Sequence, residues 1–319
     1  MNEISNEYSK NRVLILTGPT ASGKTALVIK LAKELDGEII SADSMQIYEG
    51  LDITTAKPEK HELEAVPHHL IGVIKPNVSF SVAGYVPLAL DALRGVISRG
   101  KVPIIVGGTG LYISALRDGI DFNENASDKK IRERLCAEAE TLGNTALWER
   151  LMHLDPESAV KIPPQNIVRV IRALEIMEIT GDKFSVYRKN SVKGNPEFTF
   201  KGCYLDFENR STLYARINER VDRMLENGMC DECKAAFESG LYERNTISQA
   251  IGYKELIPYF IGEASLTQAC EQIKQATRRY AKRQLTWFRN DGNLGRIAVS
   301  DVDSFDIIYE KVYEYFASS

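Results

Sequence analysis

The octapeptide GPTASGKT, residues 18–25, fits the pattern G-x-x-x-x-G-K-[ST], and SADSMQIY, residues 41–48, follows it within less than one βαβ length. In such a loop the backbone N–H groups of Gly18, Pro19 (which contributes only shape), Thr20, Ala21, Ser22 and Gly23 wrap a phosphate chain. Lys24 supplies a point charge, and the Thr25 hydroxyl can ligate Mg²⁺. Asp43 is the nearest carboxylate downstream, with three possible roles: a magnesium ligand, a kinase base, or a base acting on something other than a hydroxyl. A nucleotide triphosphatase would add an apolar strand ending in Asp for magnesium, but the obvious strand here, PIIVGGTGLY, ends in glycines. Asp206 in CYLDF comes late and reads as a strand terminus, and no guanine-reading NKxD is present.

These residues need a sheet to hold them. RVLILTG (12–18) is a continuous, branched apolar run and reads as a buried parallel strand. TALVIKLAKELDG follows with helical spacing, then EIISAD as a second strand, HHLIGVI (68–74) as a third and KVPIIVGG (101–108) as a fourth after the helix SVAGYVPLALDALRGVISRG. This alternation predicts a doubly wound parallel sheet, with Asp43 at the carboxyl end of a strand, where ligands of open α/β sheets collect. From about 122 to 198 the strand signal disappears and charged helical stretches take over, with Pro163 and Pro164 as a break. FKGCYLDFENR (200–210) is another apolar strand, and helices are expected from Ser211 to Arg289. The core is therefore expected to be discontinuous, residues 1–121 with 199–319, around an all-helical insertion at 122–198.

With 319 residues, 44% of them hydrophobic and 26% charged, the composition is that of a folded globular protein. No stretch approaches the ~20 apolar residues of a spanning helix, and MNEISNEYSK lacks the pattern of a signal peptide, so a cytoplasmic protein without membrane contact is expected. The five cysteines are odd in number and scattered, which fits a reducing compartment. Cys230 and Cys233 form a CxxC within a helical period, with no second ligand pair nearby, and read as helix residues rather than a zinc site. The net charge of −4 argues against a generally basic coat. Between Lys274 and Arg289, however, KQATRRYAKRQLTWFR holds six basic residues and no acid. On a helix, Lys274, Arg278 and Lys282 form one stripe and Arg279 with Arg283 another, interleaved with Tyr280, Trp287 and Phe288; this suits an RNA backbone.

Taken in order, GPTASGKT, SADSMQIYEGLDITTAKP, PHHLI, VPIIVGGTGLYI, LYARINERVDRML, SQAIGYKEL and TRRYAKRQLTWFRN resemble the bacterial tRNA dimethylallyltransferases, also called tRNA isopentenyltransferases, over essentially the whole chain. The resemblance implies an α/β fold, a P-loop-kinase-like parallel sheet core flanked by helices, with an all-helical insertion domain that contacts tRNA. It implies a Mg²⁺-dependent transfer of dimethylallyl from its diphosphate to N6 of adenosine 37, beside the anticodon, by a monomer acting on the anticodon stem-loop. It assigns Asp43 as base, with Thr20 and Arg216 joining Lys24 and Thr25 at the leaving group. Ser44, Met45, Gln46 and Thr109 would meet the target base; Val168, Arg169 and Arg172 on the insertion, together with Gly252 and Tyr253, would meet the RNA. The departures from the family pattern are Thr54, where glycine is usual, and Gly72, where aspartate is usual. A P-loop small-molecule kinase using ATP is the competing reading.

Overall fold

The computed structural model describes residues 11–122, 127–240 and 245–318. The N-terminal decapeptide read above for a leader lies outside them, as do short pieces of the expected insertion (123–126) and of the helical stretch after Ser211 (241–244).

The described chain forms two compact units, one reaching to Leu116 and resuming at Pro196, the other spanning Arg117–Asn195. The first contains a six-stranded sheet made of β1 (Arg12–Thr17), β2 (Gly37–Ser41), β3 (His68–His69), β4 (Val102–Gly107), β5 (Thr199–Phe207) and β6 (Leu294–Val299). Their order across the sheet is β3-β2-β4-β1-β5-β6, and every neighbouring pair is parallel. The order puts β1 at the centre, between β4 and β5. It is therefore covered on both faces, which is why five of its six residues are buried and why it reads as an unbroken apolar run.

The helices of this unit are α1 (Lys24–Leu35), α2 (Lys60–Ala65), α3 (Val82–Ser98) and α4 (Gly110–Arg117) before the second unit. That unit holds α5 (Lys129–Leu142), α6 (Asn144–Leu154), α7 (Pro156–Lys161), α8 (Ile167–Thr180) and α9 (Phe184–Ser191). Thereafter come α10 (Arg210–Glu226), α11 (Met229–Glu238), α12 (Tyr253–Phe260), α13 (Leu266–Arg289) and α14 (Phe305–Ala317). The apolar rows of α5, α6 and α8 meet in their own core around Leu135, Leu151, Val170 and Leu174. No helix among the described residues is long and apolar enough to cross a membrane.

One expectation needs correction, and two further features were not legible in the sequence. The strand read over 68–74 pairs with the sheet only at His68 and His69. Leu70 (φ 63°) and Gly72 (φ 60°) take left-handed conformations that turn the chain out of the ladder, and the following amides bond instead to Gln46 and Ile47. His69 fixes the short pairing by contacting Glu38 at 2.7 Å, and Arg99 grips the same carboxylate and is the main reason its pKa is held down at about 2. The sheet also runs on past β5 to β6, which no sequence signal had indicated. Asp206 is no simple strand end either: it is buried between Arg289 and Arg296, at 2.6 and 2.7 Å.

Candidate active site

At the carboxyl end of β1 the chain enters residues 18–23 and leaves as α1. Gly23, at φ 89°, is the residue before α1 and turns the loop back over the helix N-terminus. Beside this loop opens a cleft of about 1360 Å³, lined by residues 20–26, by Asp43–Gln46, by the segment from Asp52 to Leu63, and by one face each of α10 and α13. All of it belongs to the first unit.

The positive groups at the phosphate end lack ordinary counter-ions. The ammonium of Lys24 is held by the carbonyls of Gly18 and Pro19, at 2.9 and 2.6 Å. Desolvation, then the neighbouring Arg220, pull its pKa down to about 7, with Asp43 pulling the other way. Arg220 lines the cleft and donates to the Thr20 hydroxyl at 3.2 Å. Burial lowers its pKa too, against the upward pull of Asp43. No salt bridge reaches Lys24, Arg220 or Asp43 among the described residues. Desolvated positive charge without a fixed counter-ion is the arrangement an anion site requires.

Asp43 lies two residues past the end of β2. Its Oδ1 accepts from the amides of Met45 and Gln46, at 2.9 and 3.3 Å, so the carboxylate builds the turn that carries its neighbours. The Ser44 amide donates to the Thr109 hydroxyl at 3.0 Å, which ties this turn to the loop after β4. Gln46 spends its amide on the carbonyls of Thr55 and Ala56, at 3.3 and 2.9 Å, and so shapes the cleft wall. Tyr280, from α13, lines the cleft; burial first, then Asp43, hold its phenol well above the ordinary range, so it stays a donor.

The sequence-assigned residues thus fall into three groups. The loop Gly18–Thr25, Asp43, Ser44, Met45, Gln46 and Thr109 come together at one end of the cleft. Arg216 borders the cleft from α10, where its Nε donates to the Ala21 carbonyl at 3.0 Å and its guanidinium lies over Phe207. Arg220, one helical turn further on, is the one that reaches Thr20, and the sequence reading had passed over it. Its spacing of four from Arg216 was the available signal.

The remaining assignments scatter. Tyr253 is only 2% exposed and packs in the apolar core, while Gly252 caps α12; the cleft takes Gln249, Ala250, Ile251 and Lys254 from this region instead. A ring so buried offers no stacking face in this structure. On α13 the stripe is partly spent: Lys274 pairs with Asp222 at 2.7 Å, Arg278 donates to Asn218 at 2.6 Å, and Lys282 stays exposed. The cleft face of that helix carries Thr277, Tyr280, Arg283 and Gln284. In the second unit, Val168 (75% exposed) and Arg169 face solvent, while Arg172 bonds the buried Glu175 at 2.7 Å. Cys230 and Cys233 lie in α11, and the buried Cys233 thiol is 3.1 Å from the Thr54 hydroxyl.

Comparison with known proteins bears on the same residues. The model of the IPP transferase family matches residues 46–291, and that of isopentenyl transferases matches 11–71. The tRNA dimethylallyltransferase of Caldanaerobacter subterraneus subsp. tengcongensis is 43% identical over 307 residues, covering 96% of this chain and 98% of that protein. The Bacillus subtilis protein of the same name is 48% identical over 88% of this chain and 89% of its own length. Among solved structures, the full-length tRNA isopentenylpyrophosphate transferase of Bacillus halodurans superposes with a TM-score of 0.70 at 41% identity, over 96% of this chain and 98% of that one. A eukaryotic dimethylallyltransferase acting on tRNA gives 0.77 at 30% identity, over 93% and 76%.

Proposed function

The chain belongs to the IPP transferase family, the tRNA dimethylallyltransferases, and from that premise we propose that it moves dimethylallyl from its diphosphate to N6 of adenosine 37, beside the anticodon of a tRNA. The observation that carries this reading is the sharing of one cleft by an uncompensated cationic phosphate loop and the unbridged carboxylate of Asp43. With relatives at 41–48% identity all transferases, the kinase reading is set aside.

Adenine N6 is a weak nucleophile because its lone pair is delocalised into the ring. Asp43 accepts the proton of that amino group as nitrogen bonds the allylic carbon, help worth about 10²- to 10⁴-fold. The carbon–oxygen bond breaks on the opposite side, and its electron pair leaves with the diphosphate. There the loop amides, Lys24 and Arg220 meet the growing charge. Because the Thr20 hydroxyl oxygen already accepts from Arg220, its own proton is directed elsewhere and can be donated to a phosphate oxygen.

Magnesium fits the donor set. Among the described residues no cluster of three or more His, Cys, Asp or Glu could hold a metal by itself, which suits an ion that takes most of its ligands from diphosphate and water, with the Thr25 hydroxyl as protein ligand. When bound, it would neutralise charge on the departing diphosphate. The exposed cations Arg279, Lys282 and Arg283, together with Val168 and Arg169, would meet the anticodon stem-loop, with the enzyme acting as a cytoplasmic monomer.

The test is incubation with dimethylallyl diphosphate, Mg²⁺ and unmodified tRNA, without ATP, followed by nucleoside mass analysis. Isopentenyladenosine at the position beside the anticodon is the expected product. Unlabelled RNA, or ADP made from added ATP, would overturn the proposal.

A further inference from the structure

One buried side chain at the cleft is engaged in neither phosphate binding nor proton transfer. Gln284, on α13, is 5% exposed, and both ends of its amide are used. Its Oε1 accepts from the Thr20 amide at 2.8 Å, and its Nε2 donates to the Gly108 carbonyl at 3.0 Å. The orientation is unambiguous on chemical grounds, since the flipped amide would set two donors against each other at Thr20 and two acceptors at Gly108. One N–H of the phosphate loop is thus turned away from the phosphate and committed to a helix 264 residues further along the chain.

The glycines after β4 are explained by the same helix. A Cβ at Gly108 would stand 2.1 Å from Gln284 Nε2, and one at Gly110 would stand 2.3 Å from Trp287 Cδ1. GGTG and QLTW are therefore two halves of one packing arrangement, in which side chains of α13 rest on bare backbone. Tyr280, one turn before Gln284, lines the same cleft, and Thr109 holds the Ser44 amide beside Asp43 at 3.0 Å. Hydrogen bonds thus run from Thr20 through Gln284 to the Gly108 carbonyl, the peptide link passes to Thr109, and a further hydrogen bond reaches the turn that carries Asp43.

We propose that Gln284 is a positioning residue for the transfer: it locks the phosphate loop to the Gly108–Thr109 loop and so sets the distance between the departing diphosphate and the nitrogen that Asp43 serves. The proposal rests on the transferase reading above. The side-chain amide supplies one acceptor and one donor in a single plane without depending on pH. An in-line displacement is sensitive to such spacing, a misplacement of about 1 Å costing on the order of 10²-fold.

Three measurements on the full-length enzyme test it. Gln284→Met, which keeps the volume and removes both bonds, should lower kcat at saturating dimethylallyl diphosphate and tRNA by roughly 10- to 100-fold per folded molecule, with each KM within about threefold. Gln284→Glu can accept from Thr20 but repels the Gly108 carbonyl until it is protonated, so its activity relative to wild type should climb as pH falls. A side chain that merely filled space would give a ratio flat in pH. Hydrogen exchange at the Thr20 amide needs no turnover, and it should be slow in the wild type and at least about tenfold faster in Gln284→Met. Wild-type kcat in the Met variant, a flat ratio in the Glu variant, or a Thr20 amide that stays protected would each overturn the proposal. Absence of transfer in the wild type would instead sink the transferase reading and leave the exchange result to decide the role of Gln284.

Discussion

Two cationic regions stand close in this molecule and have opposite electrostatic fates. At the phosphate loop, Lys24 and Arg220 are desolvated, press on each other and have no ion pair, so Lys24 sits at about 7. Along α13, by contrast, two of the same residue types have counter-ions, Lys274 in Asp222 and Arg289 in Asp206, Arg278 donates to the neutral Asn218, and Arg279, Lys282 and Arg283 stay exposed to water. A positive residue type does not by itself make an anion site. What makes one is charge that the fold has paid to desolvate and left uncompensated.

The largest effect should come from the carboxylate facing the uncompensated pair. Asp43→Asn is expected to lower dimethylallyl transfer by roughly 10²-fold or more, with diphosphate and tRNA binding largely kept, in single-turnover assays. Unchanged turnover would remove it as the base. Next comes Arg220→Met, for which a loss of about 10²-fold in kcat is expected, since a donor aimed at the leaving group is removed. If Arg216→Met costs far more than Arg220→Met, the assignment between these two helix neighbours is reversed.

A third expectation concerns pH. Bound diphosphate must raise the Lys24 pKa above its free value of about 7, so binding takes up a proton at higher pH. Affinity should be full below pH 7 and fall by up to about tenfold per pH unit above it, until the pKa of the bound state is passed. Calorimetry in buffers of different ionisation heat reads the proton uptake, and Lys24→Met should abolish it.

The smallest effects should lie on α13. Replacing the exposed Arg279 and Lys282 by glutamine should reduce the slope of log tRNA affinity against log salt by under about one unit per lost contact. Lys274→Gln, whose charge is already committed to Asp222, should leave that slope nearly unchanged and alter stability by no more than about 1 kcal/mol. Equal slope changes from exposed and paired residues would erase the distinction between the two regions.

The sequence by itself determined whatever depends on neighbours along the chain. The phosphate loop is legible because glycine spacing, the preceding apolar strand and the following helix lie within one short stretch. Asp43 is legible because it lies just past a strand whose face and direction its own residues dictate. Tertiary structure alone decided the rest, because each case joins residues far apart in the sequence. β3 stops at His69 where Leu70 turns left-handed, and β6, with Gly295 and Arg296 inside it, is a strand only because β5 offers it an edge. The burial of the Tyr253 ring is set by the core that closes over it. Lys274 and Arg289 on α13 looked free until Asp222 and Asp206 were brought against them. Gln284 carried no local signal at all, since a hydrogen bond spanning 264 residues is written in neither segment alone. Backbone conformation is fixed largely by local sterics and period, whereas the state of a charge or a buried amide depends on desolvation and on partners that only the folded chain supplies.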